Sequence, residues 1–567
     1  MPLRQLKSLH LRLLVEPKRA EMSELNSQVA DVVAALGRHG FYYVRQVVGE
    51  WVVLAGPLVV EDKSYECEFS FDTRFMELPR IRLLEVPKSL GEVVPHIGSQ
   101  GGLCYIAEGT VVLDIFDPVG QALACLKRAE EVLAAILAGE MLDDLEEEFF
   151  AYWGGENAFC LSDLSKRNLG RQDAFVATIA ESMYVVVTDD RVRTMTKLTG
   201  IGWKANWSQI RTYRVQTLAK PRPSLADWPP HNVRDVLNWQ GLLDQRCRKK
   251  LQQRITEAAR TSAEAVVLLI ESPLMTYGFC VNFNRQKIIG TEKKWVPTMP
   301  EIFSCAVRPL HMVRIDDGYM ATRNSPGRRT LAGKRIILVG CGTIGGYLAE
   351  MLVKAGVGTE GGCLTLVDPD TLYPKNIGRH RLGFPSIFMR KALALRIELQ
   401  YGAPGADIRA LPVKVQQANL SDVDLLIDAT GEEALGHWIA QQSSQRNLAN
   451  LHVWIEGAGI AVRGLLKQGD LGACFRCLTT HNRNGRYRSV QVSIPVVLAG
   501  QGCEGLYVPF PAHVSVQAAS LAAEMVLDWV NDICEPALRT RVLNSLHDAA
   551  TPDCSLEQFK DCPACSR

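Results

Sequence analysis

Three glycines spaced Gly340-x-Gly342-x-x-Gly345 follow the apolar run Arg335-Ile-Ile-Leu-Val339 and open the helix-like stretch Gly346–Lys354. In the order strand, glycine turn, helix, this spacing lets the backbone approach a phosphate that faces a helix N-terminus. A second apolar run, Cys363-Leu-Thr-Leu-Val367, ends in Asp368-Pro-Asp370, with Asp368 or Asp370 at about the distance where a carboxylate holds a ribose. Asn376, Arg379 and Lys391 come next. Hydride transfer has no need of that set, whereas attack on the α-phosphate of ATP develops charge that fixed cations stabilise. The nucleotide is expected to be consumed rather than to carry hydride.

Cysteines supply the second kind of chemistry. Cys474-Phe-Arg-Cys477 and Cys562-Pro-Ala-Cys565 each present two thiolates from one tight turn, and together they complete a tetrahedral zinc site with no open ligand position, hence a structural one. Cys503 lies in a glycine-flanked loop, Gln501-Gly-Cys503-Glu-Gly-Leu-Tyr-Val-Pro-Phe510. Thiolates attack acyl-adenylates well and leave well, so a thioester keeps an acyl group activated. Cys104 ends the loop Val94-Pro95-His96-Ile-Gly-Ser-Gln-Gly101-Gly-Leu-Cys104, whereas Cys67 and Cys125 fall on apolar faces and read as core.

The elements that position these residues are legible in outline. A chain of 567 residues should hold three or so domains. Near the N-terminus an amphipathic helix, Ser23–Leu36, precedes strands at 51–60, 65–71 and 80–84, and a helix spans about 121–137. An acidic helix with one aromatic face follows at 143–153, then strands at 182–187 and 265–270 and a charged helix over about 232–259. Prolines at 221, 223, 229 and 230 mark a break. Lys197, Lys204, Arg211 and Arg214 mix with Trp203 and Trp207, which reads as a solvated face with core tryptophans rather than a nucleic-acid face. Lys and Arg total 63 against 62 Asp and Glu, so no global field calls for nucleic acid or a membrane. No apolar run is long enough to span a bilayer and Met1-Pro-Leu-Arg-Gln has no signal-peptide layout, so a cytoplasmic protein with reduced thiols is expected.

Asp368-x-Asp370, Asn376, Arg379 and Lys391 together resemble the adenylation domain of the ubiquitin-activating, ThiF and MoeB superfamily, from roughly Tyr319 onward. The resemblance implies ribose contact by the acid and triphosphate contact by Asn376, Arg379 and Lys391. It also implies a homodimer in which Arg323, with Arg328 and Arg329 as rivals, reaches the partner's ATP. The third strand, Asp424–Gly431, resembles the family's magnesium strand, but Gly431 stands where relatives often carry the metal-binding Asp. Asp428 or Glu432, acting through a water, is the expected substitute. In that family two C-x-x-C pairs hold a structural zinc, and Cys503 matches the acyl-accepting cysteine, with Cys534 and Cys554 as weaker candidates.

The N-terminal order of helix, meander, proline-containing loop, cysteine and helix resembles ubiquitin-conjugating enzymes. Pro95, Gly101 and Cys104 fall in register with their H-P-N signature, and His96 takes the place of the asparagine. His96 is expected to donate a hydrogen bond to the oxyanion, to help deprotonate the incoming lysine, or to stabilise the loop. The fold expected is multidomain α/β: an α+β ubiquitin-conjugating-like domain at 1–142, a middle α/β linker region at 143–318, and a Rossmann-like ThiF/MoeB adenylation domain with structural zinc at 319–567. This layout is similar to fused enzymes of bacterial antiphage operons, CBASS systems among them. The resemblance implies ATP, Mg2+ and Zn2+ as cofactors. It implies as donor the C-terminus of a cGAS-like nucleotidyltransferase or a small ubiquitin-like protein, and a target lysine as acceptor. Rival readings are a sulfur-carrier-type adenylyltransferase without conjugation, a nicotinamide-dependent oxidoreductase, and a nucleotide-binding scaffold without catalysis.

Overall fold

Alternation along Lys63–Asp72 turns Cys67, Phe69 and Phe71 inward and leaves Glu66, Glu68 and Ser70 facing outward, the pattern of a half-buried antiparallel strand. That strand is the centre of a five-stranded meander, Tyr42–Val47, Trp51–Val60, Lys63–Asp72, Arg80–Leu83 and Gly102–Leu103, in sequential order. The first of these strands was not anticipated; the next three fall where expected. Helix Pro118–Ala138 covers the inner face. It is capped by Asp117, which accepts from the Gly120 N–H, and it ends at Gly139 in the left-handed conformation. In the computed structural model the described residues are 27–566 except 48–50, 99, 108, 154–158, 165–169, 180–181, 207–209, 226, 262, 284–296, 471, 495–496 and 501–506.

The chain divides into two compact units, one drawn from residues 1–158 and 213–311 and the other from 159–212 and 312–567. The first holds the meander and a second core in which Phe149, Trp153, Trp228, Trp239 and Tyr277 pack ring on ring. Trp153 anchors it by donating Nε1–H to the Gly278 carbonyl at 2.8 Å. The acidic segment is a 3-10 turn, Leu142–Glu146, and a short helix, Phe149–Trp153. Its aromatic face fills this core. The single charged helix expected over 232–259 is two, Val233–Leu243 and Gln245–Ala259. The break falls at Asp244, whose extended backbone interrupts the first helix and whose carboxylate caps the second by accepting from the Arg246 and Cys247 N–H groups.

The second unit is built on a seven-stranded sheet in the order Ile408–Leu411, Cys363–Val367, Arg335–Val339, Leu425–Asp428, Ala449–Glu456, Ala461–Lys467, Leu538–Val542. The first five strands are parallel and the last two pair antiparallel. Both faces are covered. Ile336 and Leu338 join a cluster with Leu348 and Ala518, whereas Ile337 and Val339 join Leu426 and Ile439 on the other side. A near-continuous apolar strand is what such double coverage requires. Within the same unit Lys197 is buried and bonds Asp163 and Asp317 at 3.0 and 2.9 Å. In the first unit Arg214 is buried against Glu271. These two bases are therefore interior ion pairs, not part of a solvated face; burial is tolerated because each charge has a partner. No helix among the described residues is long and apolar enough to cross a membrane.

Candidate functional site

The strand Arg335–Val339 lies between Cys363–Val367 and Leu425–Asp428, so the chain leaves it to opposite sides and a crevice opens at the strands' C-terminal ends. A cleft of about 810 Å³ occupies that crevice, lined by the glycine turn, Asp368, Asp370, Arg379, Lys391 and the Ala429–Glu432 turn. Each glycine of the motif has its own reason. Gly340 has φ +90°, and a Cβ there would meet the Ala429 backbone at 3.1 Å; one on Gly345 would sit 1.8 Å from the Gly340 carbonyl oxygen. At Gly342, the residue capping helix Thr343–Lys354, a Cβ would meet nothing within 4 Å and would project into open space. Two glycines shape the turn and the third keeps clear the approach to a helix N-terminus, the place for an anionic phosphate.

The turn is locked from behind. Asp368 accepts the Cys341 N–H and the Asp370 N–H, each at 2.7 Å, and burial raises its pKa against the pull of those bonds. His380 lies beneath, its Nε2 2.9 Å from the Cys341 carbonyl and its Nδ1 accepting the Leu382 N–H, so the proton sits on Nε2. Burial pushes its pKa down to about 4, which keeps the ring neutral. Asp370 is mostly exposed and pairs with Lys391 at 2.9 Å. Arg379 reaches the cleft stacked 4.2 Å from Phe510 and donating to the Val508 carbonyl at 3.0 Å, and burial lowers its pKa. Asn376 is turned away: its Oδ1 caps the Tyr373 N–H at 3.0 Å, and it does not line the cleft.

Asp428 is buried, with Oδ1 accepting from the Thr430 N–H and hydroxyl and Oδ2 3.0 Å from His452 Nδ1. It does not line the cleft, whereas Glu432 does. The four cysteines of the two C-x-x-C pairs do converge. Cys474 Sγ is 3.6 Å from Cys562 Sγ, and Cys477 Sγ is 3.5 Å from Cys565 Sγ. A tetrahedral zinc with Zn–S of about 2.3 Å asks for sulfurs about 3.8 Å apart. Four thiols at this spacing fit that ion, and it would be structural.

In the first unit the loop before Cys104 forms a cradle. Gly101 has φ +83°, and a Cβ there would collide with the Leu83 carbonyl oxygen at 2.4 Å. Cys104 is exposed, its N–H donating to the His96 carbonyl at 2.8 Å, and it rims a groove of about 940 Å³. His96 is itself clamped. Its Nε2 is 2.9 Å from Asp144 Oδ2, its Nδ1 is 2.8 Å from Glu148 Oε1, and its backbone N–H donates to Glu148 Oε2. Nε2 is thus held by a carboxylate, while Nδ1 lies close to Glu148 without making a hydrogen bond among the described residues. Burial, and then Glu148, raise the Cys104 thiol's pKa. Tyr152 closes the cradle by donating to the Val94 carbonyl at 2.7 Å.

Residues 319–564 match the ThiF family and residues 55–159 match Prokaryotic E2 family B. An "ATP-dependent ubiquitin transferase-like protein Cap2" of Pseudomonas aeruginosa is 52% identical over 95% of this chain and 99% of its own length.

The chain belongs to the Cap2 family of ATP-dependent ubiquitin transferase-like proteins.

An Escherichia coli Cap2 is 28% identical over 81% of this chain and 84% of its own. The solved structure of E. coli MccB overlaps 41% of this chain and 66% of that one, at 15% identity and a TM-score of 0.32. The expectation of a fused chain, ubiquitin-conjugating-like before ThiF-like, is borne out for this Cap2-family member. Of the residues named from sequence, Gly340, Gly342, Asp368, Asp370, Arg379 and Lys391 meet at one cleft, with Gly345 closing the turn behind it. Arg323 is exposed at the end of helix Asp317–Thr322, while its rivals are tied to their own chain, Arg328 to Asp528 and Arg329 to Asp532. Cys503 lies outside the described residues. Cys534 and Cys554 are half-buried, and their pKa values are raised by burial. Sequence reasoning missed Lys414 in the cleft and His380 beneath it. It also missed Asp144, Glu148 and Tyr152 at Cys104, whose only signal was the acidic run at 143–148, read as a separate region.

Proposed function

We propose that this enzyme adenylates the C-terminal carboxylate of a donor protein, captures the acyl group as a thioester, and delivers it to a target amine. The carboxylate oxygen attacks the α-phosphorus of ATP and pyrophosphate leaves, with Gly342 and the N-terminus of helix Thr343–Lys354 receiving phosphate oxygens and Arg379 and Lys391 offsetting the developing charge. Asp370, released from Lys391, takes the ribose. The Cys503 thiolate then displaces AMP, Cys104 displaces Cys503 by thioester exchange, and a lysine amine displaces Cys104 to leave an amide. Glu148 and Asp144, the carboxylates beside His96 in the Cys104 cradle, take the lysine's proton in this reading. Glu432, which lines the cleft, is the carboxylate that would hold Mg2+ through water.

The observation that carries this reading is that one chain holds both a nucleotide cleft edged by Arg379 and Lys391 and an exposed cysteine in a cradle of carboxylates. Fusing the two cysteines raises their effective concentration for exchange. A three-part organisation at 1–142, 143–318 and 319–567, a homodimer placing Arg323 in its neighbour's site, and a cytoplasmic antiphage role belong to the same proposal. The donor is a cGAS-like nucleotidyltransferase tail or a small ubiquitin-like protein. The test is a non-reducing gel after incubation with ATP and each candidate donor. Thiol-sensitive adducts lost in Cys503→Ala and Cys104→Ala are expected, and an adduct surviving both refutes the two cysteines. Full conjugation by Cys104→Ala would favour the sulfur-carrier-type reading.

A further inference from the structure

The segment from Leu142 to Trp153 is gripped from two sides. Asp144, Glu148 and Tyr152 recur every four residues, a spacing that stacks side chains along one side of a helical turn, and that side meets the loop before Cys104. Asp144 Oδ2 is 2.9 Å from the His96 ring, Glu148 Oε2 accepts the His96 N–H at 3.1 Å, and the Tyr152 hydroxyl donates to the Val94 carbonyl at 2.7 Å. Phe149 and Trp153, both fully buried, enter the aromatic core instead, where Trp153 Nε1–H donates to Gly278. Trp228 Nε1–H donates to the Tyr152 carbonyl at 2.7 Å. One core therefore fixes the backbone of Tyr152 while its side chain is committed to the loop of the other.

The phenol also reaches the carboxylate. Its oxygen is 3.4 Å from Glu148 Oε2, the same atom that takes the His96 N–H, so that oxygen has donors on two sides. A glutamate has three side-chain torsions, and one backbone N–H alone would leave its second oxygen free to sweep an arc. Two donors on Oε2 define where Oε1 sits. Burial, and then the Glu148 charge, raise the Tyr152 pKa, so the phenol stays a donor and does not compete for a proton. Cys104 is among the groups that act on Tyr152, as Glu148 acts on Cys104, so phenol, carboxylate and sulfur share one neighbourhood. The conjugation steps above give Tyr152 no part.

We infer that Tyr152 is a positioning residue for amine attack at Cys104, holding the Glu148 carboxylate where it receives the amine's proton. The inference rests on the thioester reading and on Glu148 as proton acceptor. As a neutral lysine nitrogen bonds to the acyl carbon, the carbon–sulfur bond breaks, Cys104 leaves as thiolate and one N–H proton passes to Glu148. A general base must lie within hydrogen-bond reach of that proton, and a misplacement of about 1 Å is enough to cost on the order of 100-fold. Tyr152 acts through that placement rather than on the amine.

The test uses the full-length protein, charged with ATP and the donor that gives a thiol-sensitive adduct on Cys104, then stripped of ATP with apyrase and chased with free lysine or with hydroxylamine. Hydroxylamine is already a free base at pH 7.5 and a strong nucleophile, so it leans little on a carboxylate. In Tyr152→Phe, charging of Cys104 is expected to stay within about twofold of the parent. Saturating discharge to lysine should slow about tenfold, and discharge to hydroxylamine less than about threefold. Tyr152→Phe added to Glu148→Gln should slow lysine discharge no further than Glu148→Gln does alone, the mark of a residue acting through another. An unchanged lysine rate, equal slowing with both nucleophiles, or a double variant slowed by the product of the two single effects overturns the inference while leaving the thioester reading standing. A parent that forms no adduct on Cys104 refutes the thioester reading and the inference with it.

Discussion

Asp368 Oδ2 accepts the backbone N–H of Cys341 at 2.7 Å, so the acid at the end of the second strand holds the glycine turn at the end of the first. Its other oxygen is occupied by the Asp370 N–H. Of the two acids that sequence spacing nominates for the ribose, the buried one fixes the turn, and the exposed one, paired with Lys391, is able to change partners. A nucleotide arriving in the cleft meets a turn already set in shape, with less ordering to do on binding.

Gly342→Ala separates shape from access. The added methyl meets nothing in the protein and the backbone conformation suits alanine, so the thermal midpoint is expected to stay within about 2 °C. The methyl projects where phosphate must come, and affinity for an ATP analogue, measured by calorimetry, should drop by about tenfold or more. Unchanged affinity would place the phosphates elsewhere.

His380 gives the adenylation unit an acid-sensitive spot. Its folded pKa of about 4 lies below the ordinary value near 6.5. The unfolded chain therefore binds the proton more readily. The resulting stability is present in full above pH 6.5 and is lost as pH falls towards 4, amounting to roughly 3 kcal/mol across that window. Thermal midpoints of the parent and His380→Gln between pH 7.5 and 4.5 should converge on acidification. Parallel curves would mean the imidazole is not buried as described.

Burial first, and the Glu148 charge second, hold back the Cys104 thiol. Removing that charge in Glu148→Gln lowers the thiol pKa and raises the thiolate fraction at pH 7.5. Alkylation of Cys104 by iodoacetamide, followed by mass spectrometry of its peptide, should accelerate severalfold. A rate no different from the parent's would show that this carboxylate does not govern the sulfur.

The sulfur cluster makes a metal prediction. One zinc per chain is expected by atomic absorption, and Cys562→Ser should lower both the zinc content and the thermal midpoint, the latter by more than about 5 °C. Metal-free protein of undiminished stability would leave the four thiols as packing.

What the sequence made legible was local or carried by paired signals. The strand, turn and helix from Arg335 to Lys354 occur in continuous order, and the two C-x-x-C pairs each announce half of one site. What it hid depends on packing between distant segments. Asp144 and Glu148 lie 48 and 52 positions from His96, and nothing in an acidic run says which loop it will face. His380 follows Arg379 directly, yet one is buried under the turn and the other stacks on Phe510. The break at Asp244 was missed because one residue serves as both stop and cap, and helical periodicity resumes at once beyond it.

His96 holds its backbone at φ +60° while its carbonyl takes the Cys104 N–H and its own N–H goes to Glu148. Such a dihedral is uncommon outside glycine, and asparagine, aspartate and histidine enter it most readily. Histidine at 96 is therefore a residue type that suits the bend in the loop before Cys104. The loop's course is set by the backbone at residue 96, so a substitution there by a β-branched residue would disturb Cys104 even with every ring contact left aside.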